Sequence, residues 1–359
     1  MRKPVLFLII ILLGASGWIF FKNVDVDNLA GSNQPVESGT GEIASSSQTP
    51  NGANTLDGWA SSVLEMFTAD EGQDAANTAH SNDADRVIRL ATFNVNALNE
   101  TKARKPETMD ILSRIGRRFD VLAIQEIHSE VDDIVPRLVD LMNKLGGEYD
   151  YAVGPRLGPK GSKEQYAFIF NRRTVLLDRD ELYTIEDQDD LMLREPFVAW
   201  FRTVGPHESE AFTFSLINVR IDPSNGGMER ELLDDIIRAV REDGRQEDDI
   251  ILAGDFRSNA GNIGTLDDLA NVAYAVSQTP TNTRGDQAWS NIVIQKNATI
   301  EFTGRSGVFD FLREYNLNLD EAMEISDHLP VWAEFSIYEG GQAGRIATEV
   351  SDSDSKRRL

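Results

Sequence analysis

Three apolar runs in this chain finish, and a fourth begins, at residues able to hold a cation or move a proton. "ATFN" ends in Asn94, "VLAIQE" in Glu126 and "IILAGD" in Asp255, while "ISDHLP" presents Asp327 and His328 just before a last apolar run. A polar group at a strand end is usually a solvated boundary, so each of these is weak alone. Residues 250–253 are continuously apolar, the pattern of a strand covered on both faces. Gly254 breaks the run and leaves Asp255 at the rim. A carboxylate there is a metal ligand, a catalytic group, or half of a salt bridge, and Arg257 two residues on keeps the last reading open. His328 is the imidazole set among these groups. Of the other three, His80 and His207 read as solvent-exposed, and His128, beyond the Glu126 strand, reads as an ordinary loop position, the alternative being a group that approaches a substrate.

The elements that must position these residues lie within 86–338. Strand candidates are "RVIRLATFNV", "VLAIQEI", "YDYAVG", "QYAFIFN", "PFVAWF", "AFTFSLINVRI", "DIILAGDF", "NIVIQ" and "HLPVWAEFSI". Helices are expected over 105–118, 129–145 and 228–243. In the last, Leu232, Ile236, Ile237 and Val240 fall on one face. Many strands with few helices predict two packed sheets with helices outside, in one large α/β domain. Acidic runs such as "EDQDD" and "LDEAME" read as solvated faces.

The flanks read differently. Arg2 and Lys3 precede an uncharged stretch, residues 5–21, at the short end of what spans a bilayer. Trp18 and Lys22 suit an interface. Residues 1–22 are therefore expected to be a transmembrane anchor with the folded domain outside the cytoplasm. The alternative is a signal segment cleaved near Gly14-Ala15-Ser16-Gly17, with secretion. Residues 23–85 read as a low-complexity tether, with one short helical pattern at Trp59, Val63 and Phe67, and 339–359 as a disordered tail. The formal net charge of −24 argues against non-specific coating of nucleic acid, which rests on Lys and Arg. There is no Cys, hence no disulfide and no thiolate metal site. No P-loop, HExxH or dinucleotide-binding glycine motif is present. The triplets "NET" and "NAT" fit the glycosylation pattern, which is common by chance.

"FNVNALNETKA", "VLAIQEI", "KEQYAFIF", "REPFVAWF", "GDF" and "ISDHLPV" together resemble, in order and separation, the endonuclease/exonuclease/phosphatase superfamily, and within it deoxyribonuclease I. The likeness spans about residues 88–337. It implies a four-layer α/β/β/α sandwich and hydrolysis of phosphoesters, DNA among them, with Mg2+ or a similar cation (Ca2+, Mn2+). By the same resemblance Glu126 and Asp327 hold metal, and Asn94 contacts the scissile phosphate. Glu164 orients a first catalytic His, Asp255 is an active-site carboxylate, His328 is the second catalytic His, and Arg194 contacts DNA. Such a site has a plain logic. A hard cation needs only one or two carboxylates, it stabilises charge in an in-line displacement, and His–carboxylate pairs move the protons.

Three positions depart from the family pattern. Arg220 stands in place of the first His, Arg257 in place of an Asn, and Ser290 in place of the Asp that orients His328. Asn96, His128 and Ser162 also stand where the family has Arg, Arg and Tyr. The three central changes make the site more positive by about two to three charges at neutral pH. Arginine does not deprotonate in proteins, so Arg220 cannot serve as a base. Asp255 is expected to be held by Arg220 or Arg257, and Glu164 is the other partner open to Arg220. Two functions remain. One is a metal-dependent nuclease with reduced activity. The other is a degenerate pseudonuclease binding a protein partner or an anionic ligand through Arg220 and Arg257.

Overall fold

The structure is a computed structural model. It describes residues 7–11, 87–144, 146–187 and 189–341, the first segment by its backbone only. The expected tether at 23–85 with its short helical pattern lies outside the described residues, and so does the expected tail at 339–359, except that Glu339–Gly341 form a 3-10 turn.

In chain order the elements are β1 (Phe7–Ile11), β2 (Val87–Leu98), α1 (Glu100–Ala103), α2 (Pro106–Gly116), β3 (Val121–Ile127), α3 (Ile134–Asn143), β4 (Tyr149–Val153) and β5 (Gln165–Asn171). There follow β6 (Val175–Asp187), β7 (Phe197–Thr203), β8 (Thr213–Arg220), α4 (Gly226–Arg230), α5 (Leu233–Arg241), β9 (Ile250–Asp255) and β10 (Val272–Tyr274). The last are β11 (Ser290–Gln295), β12 (Phe302–Val308), α6 (Phe311–Glu314), α7 (Leu319–Ile325) and β13 (Val331–Ser336). One sheet runs β1-β6-β7-β8-β9-β11-β10 and the other β12-β13-β2-β3-β5-β4. Helices flank both, giving an α/β sandwich. Three apolar clusters separate the layers. Phe168, Phe201, Phe214 and Phe335 lie between the sheets. Leu112, Leu138 and Phe311 pack the second sheet against α2, α3 and α6. Leu233, Ile236 and Ile237 pack α5 against the first.

Each sheet has one parallel pair, β2 with β3 and β8 with β9; the other pairs are antiparallel. A parallel pair needs a crossover, supplied by α1–α2 and by α4–α5. Asn94, Glu126, Arg220 and Asp255 all lie near the carboxyl ends of these four strands. That is where open α/β sheets bind ligands, because the crossovers leave from that edge. The approach between β8 and β9 is close. A Cβ on Gly254 would sit 1.9 Å from the carbonyl oxygen of Val219, so only glycine fits there.

Several expectations need correction. The helix expected over 228–243 is two, α4 and α5, interrupted at Glu231–Leu232. The strand β6 and the strand β12 were not legible as strands, since β6 is acidic along its exposed length and β12 carries two glycines. "LDEAME" is a solvated face as expected, with Asp320, Glu321 and Glu324 exposed, and it belongs to α7, capped by Asn318 and Glu321 in a reciprocal capping box. No helix of the described residues is long and apolar enough to cross a membrane. Phe7–Ile11, inside the expected anchor, form an edge strand antiparallel to Tyr183–Asp187. A short apolar run satisfies its backbone in a sheet as readily as in a helix, and periodicity alone does not separate the two.

Candidate active site

Asn94 stands where the two sheets meet. Its amide nitrogen donates to Glu126 Oε1 and to Asp255 Oδ2, each at 2.9 Å. Its own oxygen accepts from the Asn96 N–H. Asn96, Ala97, Glu126 and Arg257 all have left-handed backbone, with φ of 48°, 56°, 63° and 49°. None is glycine, and strain of this kind, of order 1–3 kcal/mol per residue, persists where packing over-determines it. Here it turns the ends of β2, β3 and β9 toward one another.

The two substituted arginines lie in this cluster. Arg220 donates from Nε to Glu126 Oε1 at 2.8 Å and from Nη1 to Glu164 Oε1 at 3.0 Å. Arg257 pairs through Nε with Asp255 Oδ2 at 2.8 Å and donates from Nη2 to Glu126 Oε1 at 3.4 Å. Its guanidinium also lies 4.6 Å from the centre of the Trp289 ring. Asp255, wholly buried, is thus one half of a salt bridge, and its partner is Arg257. Arg220 is in register beside Asp255 on β8 but reaches across to the other sheet.

These contacts decide whether the residues fit the cation implied by the resemblance. Glu126 Oε1 already accepts from Asn94, Arg220 and Arg257, and Oε2 from the Ala97 N–H at 3.2 Å. A divalent cation would have to displace two fixed positive charges to reach it. In this arrangement the donor set does not fit Mg2+. Burial alone would raise the Glu126 carboxyl, but Arg220, the Asn94 amide and Arg257 outweigh it and hold the group at about 2.

That shift has a sign. A folded-state value below the ordinary 4.5 stabilises the fold fully above pH 4.5, and the contribution is lost as pH falls toward 2. The size is about 3 kcal/mol, at 1.36 kcal/mol per pH unit. Glu126→Gln is therefore expected to cost about that much at pH 7 and almost nothing at pH 2. Urea denaturation of both proteins at several pH values reads the difference; a penalty independent of pH would show that the charge is not its source.

His328 is fully buried. Its Nδ1 meets Ser290 Oγ at 3.1 Å, so the hydroxyl takes the orienting position without supplying a charge. Its Nε2 lies 3.6 Å from Asp255 Oδ2 and 3.8 Å from Asp327 Oδ1 and has no hydrogen-bond partner. Burial pushes the imidazole below its usual range, although Asp255 pulls the other way. An uncommitted buried nitrogen is costly, and functional sites are one place where it persists. Asp327 is partly exposed beside it.

Glu164 is not left without partners by the loss of the family His. It pairs with Arg220, with Arg194 and with His128, whose Nε2 is 3.1 Å from Glu164 Oε2. His128 is the loop position expected, directly after β3, and its imidazole turns back to Glu164. A carboxylate only accepts, so His128 donates from Nε2 and keeps Nδ1 as its basic nitrogen. An imidazole and two guanidiniums thus converge on Glu164, from His128, Arg220 and Arg194. Arg194 is 5% exposed, and its donors go to Glu164, Asp222 Oδ2 and the Ser162 carbonyl. Lys102 was also missed. Burial lowers it to about 8 against the pull of Asp327 and Glu126, and its Nζ donates to the Val95 and Asn96 carbonyls. No local pattern marks His128 or Lys102, because both act through residues distant in sequence or through backbone.

Comparison with known proteins follows the same lines. Residues 91–291 match the endonuclease/exonuclease/phosphatase family. Deoxyribonuclease gamma of Rattus norvegicus is 31% identical over 288 residues, covering 76% of this chain and 90% of its own length. Deoxyribonuclease-1-like 1 of Sus scrofa is 31% identical, covering 70% of this chain and 81% of its own length. Among solved structures, the human Nocturnin catalytic domain with bound sulfate anion matches at a TM-score of 0.49 and 15% identity, over 70% of this chain and 94% of that one.

Proposed function

We propose, for a chain that belongs to the endonuclease/exonuclease/phosphatase family and to its deoxyribonuclease I-like nucleases, a nuclease whose phosphodiester hydrolysis is held far below the family's level by two internal arginines. DNA is the substrate class by kinship. One observation carries the reading: both guanidiniums bond the same oxygen of Glu126, the carboxylate that the resemblance makes a metal ligand. Arg220 supplies no base, and His328, oriented by a neutral hydroxyl, is the surviving acid–base group. General acid–base groups contribute roughly 10²–10⁴-fold each, so a loss of this order is expected.

A second reading has its own support. The His128–Glu164 contact supplies an oriented imidazole on the side of the site where Arg220 cannot act. Hydrolysis at the family's level would then survive with its proton-handling pair rearranged.

Plasmid nicking with Mg2+ and Ca2+, beside deoxyribonuclease gamma as reference, tests both. The expected result is nicking at least about 10²-fold slower than the reference and abolished by His328→Ala. Rates near the reference, lost in His128→Ala, would establish the rearranged pair instead. No nicking, with retained binding of an oligonucleotide or a polyanion, would leave the pseudonuclease, with the more exposed Arg257 as the contact.

A further inference from the structure

A second group of carboxylates converges at the opposite end of the same strands. Asp249 leads into β9, six residues and therefore about 20 Å from Asp255 at 3.3 Å per residue. Glu301 leads into β12, and Glu339 opens the 3-10 turn that follows β13. One oxygen from each lies within 4.8 Å of the others. That is twice a 2.4 Å metal–oxygen bond, so three such atoms fit around a single Ca2+-sized ion.

The surroundings leave these oxygens uncompensated. No Lys or Arg among the described residues pairs with Asp249, Glu301 or Glu339, and no cation is among the main influences on their proton affinities. Asp249 and Glu301 are each 2% exposed, yet Asp249 Oδ1 and Glu301 Oε2 accept no hydrogen bond. Glu301 Oε1 accepts from the Gly340 N–H and Glu339 Oε2 from the Thr213 N–H. An independent group points the same way. Thr299, 1% exposed, lies against the Asp249 carboxylate and lowers its proton affinity, but its Oγ1 makes no well-formed hydrogen bond. Adjacent Glu247 does not share this condition, since its oxygens accept from the Asp249 N–H, the Trp200 indole and the Thr213 hydroxyl.

We propose that Asp249, Glu301 and Glu339, with the Thr299 hydroxyl, form a calcium-type cation site separate from the candidate active site. Hard oxygen donors that are buried and partly unsatisfied favour a cation tolerant of irregular, high coordination. Ca2+ is such a cation, whereas Mg2+ demands an octahedron and keeps its waters. The ion would tie the turn after β13 to the starts of β9 and β12, clamping strands from both sheets at the end away from the chemistry. Burial raises all three carboxyls, and repulsion within the trio adds to it at Asp249 and at Glu339, which reaches about 7. At Glu301 a hydrogen bond shared with Asp249 works against the rise. The alternative occupant of the cluster is therefore protons.

The test uses the full chain freed of metal. Millimolar Ca2+ is expected to raise its melting temperature by roughly 5 °C, and Mg2+ by much less. Tb3+ should give emission sensitised by Trp200, whose indole bonds Glu247 beside Asp249. Asp249→Asn/Glu301→Gln should abolish both responses. These amides imitate the protonated acids and relieve the repulsion, so the double variant is expected to melt higher than the metal-free parent. Glu126→Gln should retain the Ca2+ response, and Trp200→Phe should lose the emission while keeping the melting shift. No Ca2+ response in the parent would assign the cluster to retained protons and overturn the proposal. A response that survives in the double variant, or disappears in Glu126→Gln, would overturn it too.

Discussion

Arg220→His, Arg257→Asn and Ser290→Asp combined are expected to raise Mg2+-dependent plasmid nicking by at least about 10²-fold. The triple change removes both guanidiniums from Glu126 Oε1, frees Asp255 from its ion pair, and restores an imidazole beside Glu164. It also replaces the Ser290 hydroxyl, 3.1 Å from His328 Nδ1, by a carboxylate able to stabilise the imidazolium. The three changes act on one network and are not additive. Arg220→His alone leaves Arg257 on Glu126, and Arg257→Asn alone leaves Arg220 there, so each single change should recover little. Rates measured on folded protein, with circular dichroism as the control, decide the matter. An unchanged rate in a folded triple variant would show that the groove itself has diverged, and that the arginines are not what restrains hydrolysis.

Arg220→Met is expected to destabilise the fold by about 3 kcal/mol at pH 7. Removing one partner of a buried ion pair typically costs about 3–5 kcal/mol, because the remaining charge is left in a poor medium. Two carboxylates lose a donor here, but neither loses all: Glu164 keeps Arg194, and Glu126 keeps Arg257 and Asn94. That places the cost at the lower end. Arg257→Met should cost less, since Arg257 is more exposed and part of its contact is with the Trp289 ring, which a thioether can also cover. The Arg220→Met penalty should shrink in acid as Glu126 takes up its proton, and it should be partly offset by Mg2+, since one of the two guanidiniums on Glu126 Oε1 is gone. Urea denaturation of the two variants and the parent measures all of this. A penalty below about 1 kcal/mol would mean that Arg220 is solvated like a surface arginine.

The sequence by itself determined the class of the fold, the family, and the cluster at the strand ends. The reason is that buried strands and their polar terminations are local patterns. "VLAIQEI" and "IILAGDF" announce both their burial and the carboxylate that follows. That Arg220, Arg257 and Ser290 lie at the ends of these strands was legible as well, since each stands inside or beside one of the same runs. What the tertiary structure alone decided is which charge meets which. Arg220 and Asp255 are neighbours in register on β8 and β9, yet the Arg220 side chain crosses to Glu126 and Glu164 of the other sheet, and Asp255 is held by Arg257. His128 reaches Glu164 from 36 residues away. The acidic cluster at Asp249, Glu301 and Glu339 joins positions up to 90 residues apart. Pairing of this kind depends on the stacking of two sheets and on where left-handed residues such as Glu126 and Arg257 turn their side chains. Neither leaves a period or a spacing in the chain.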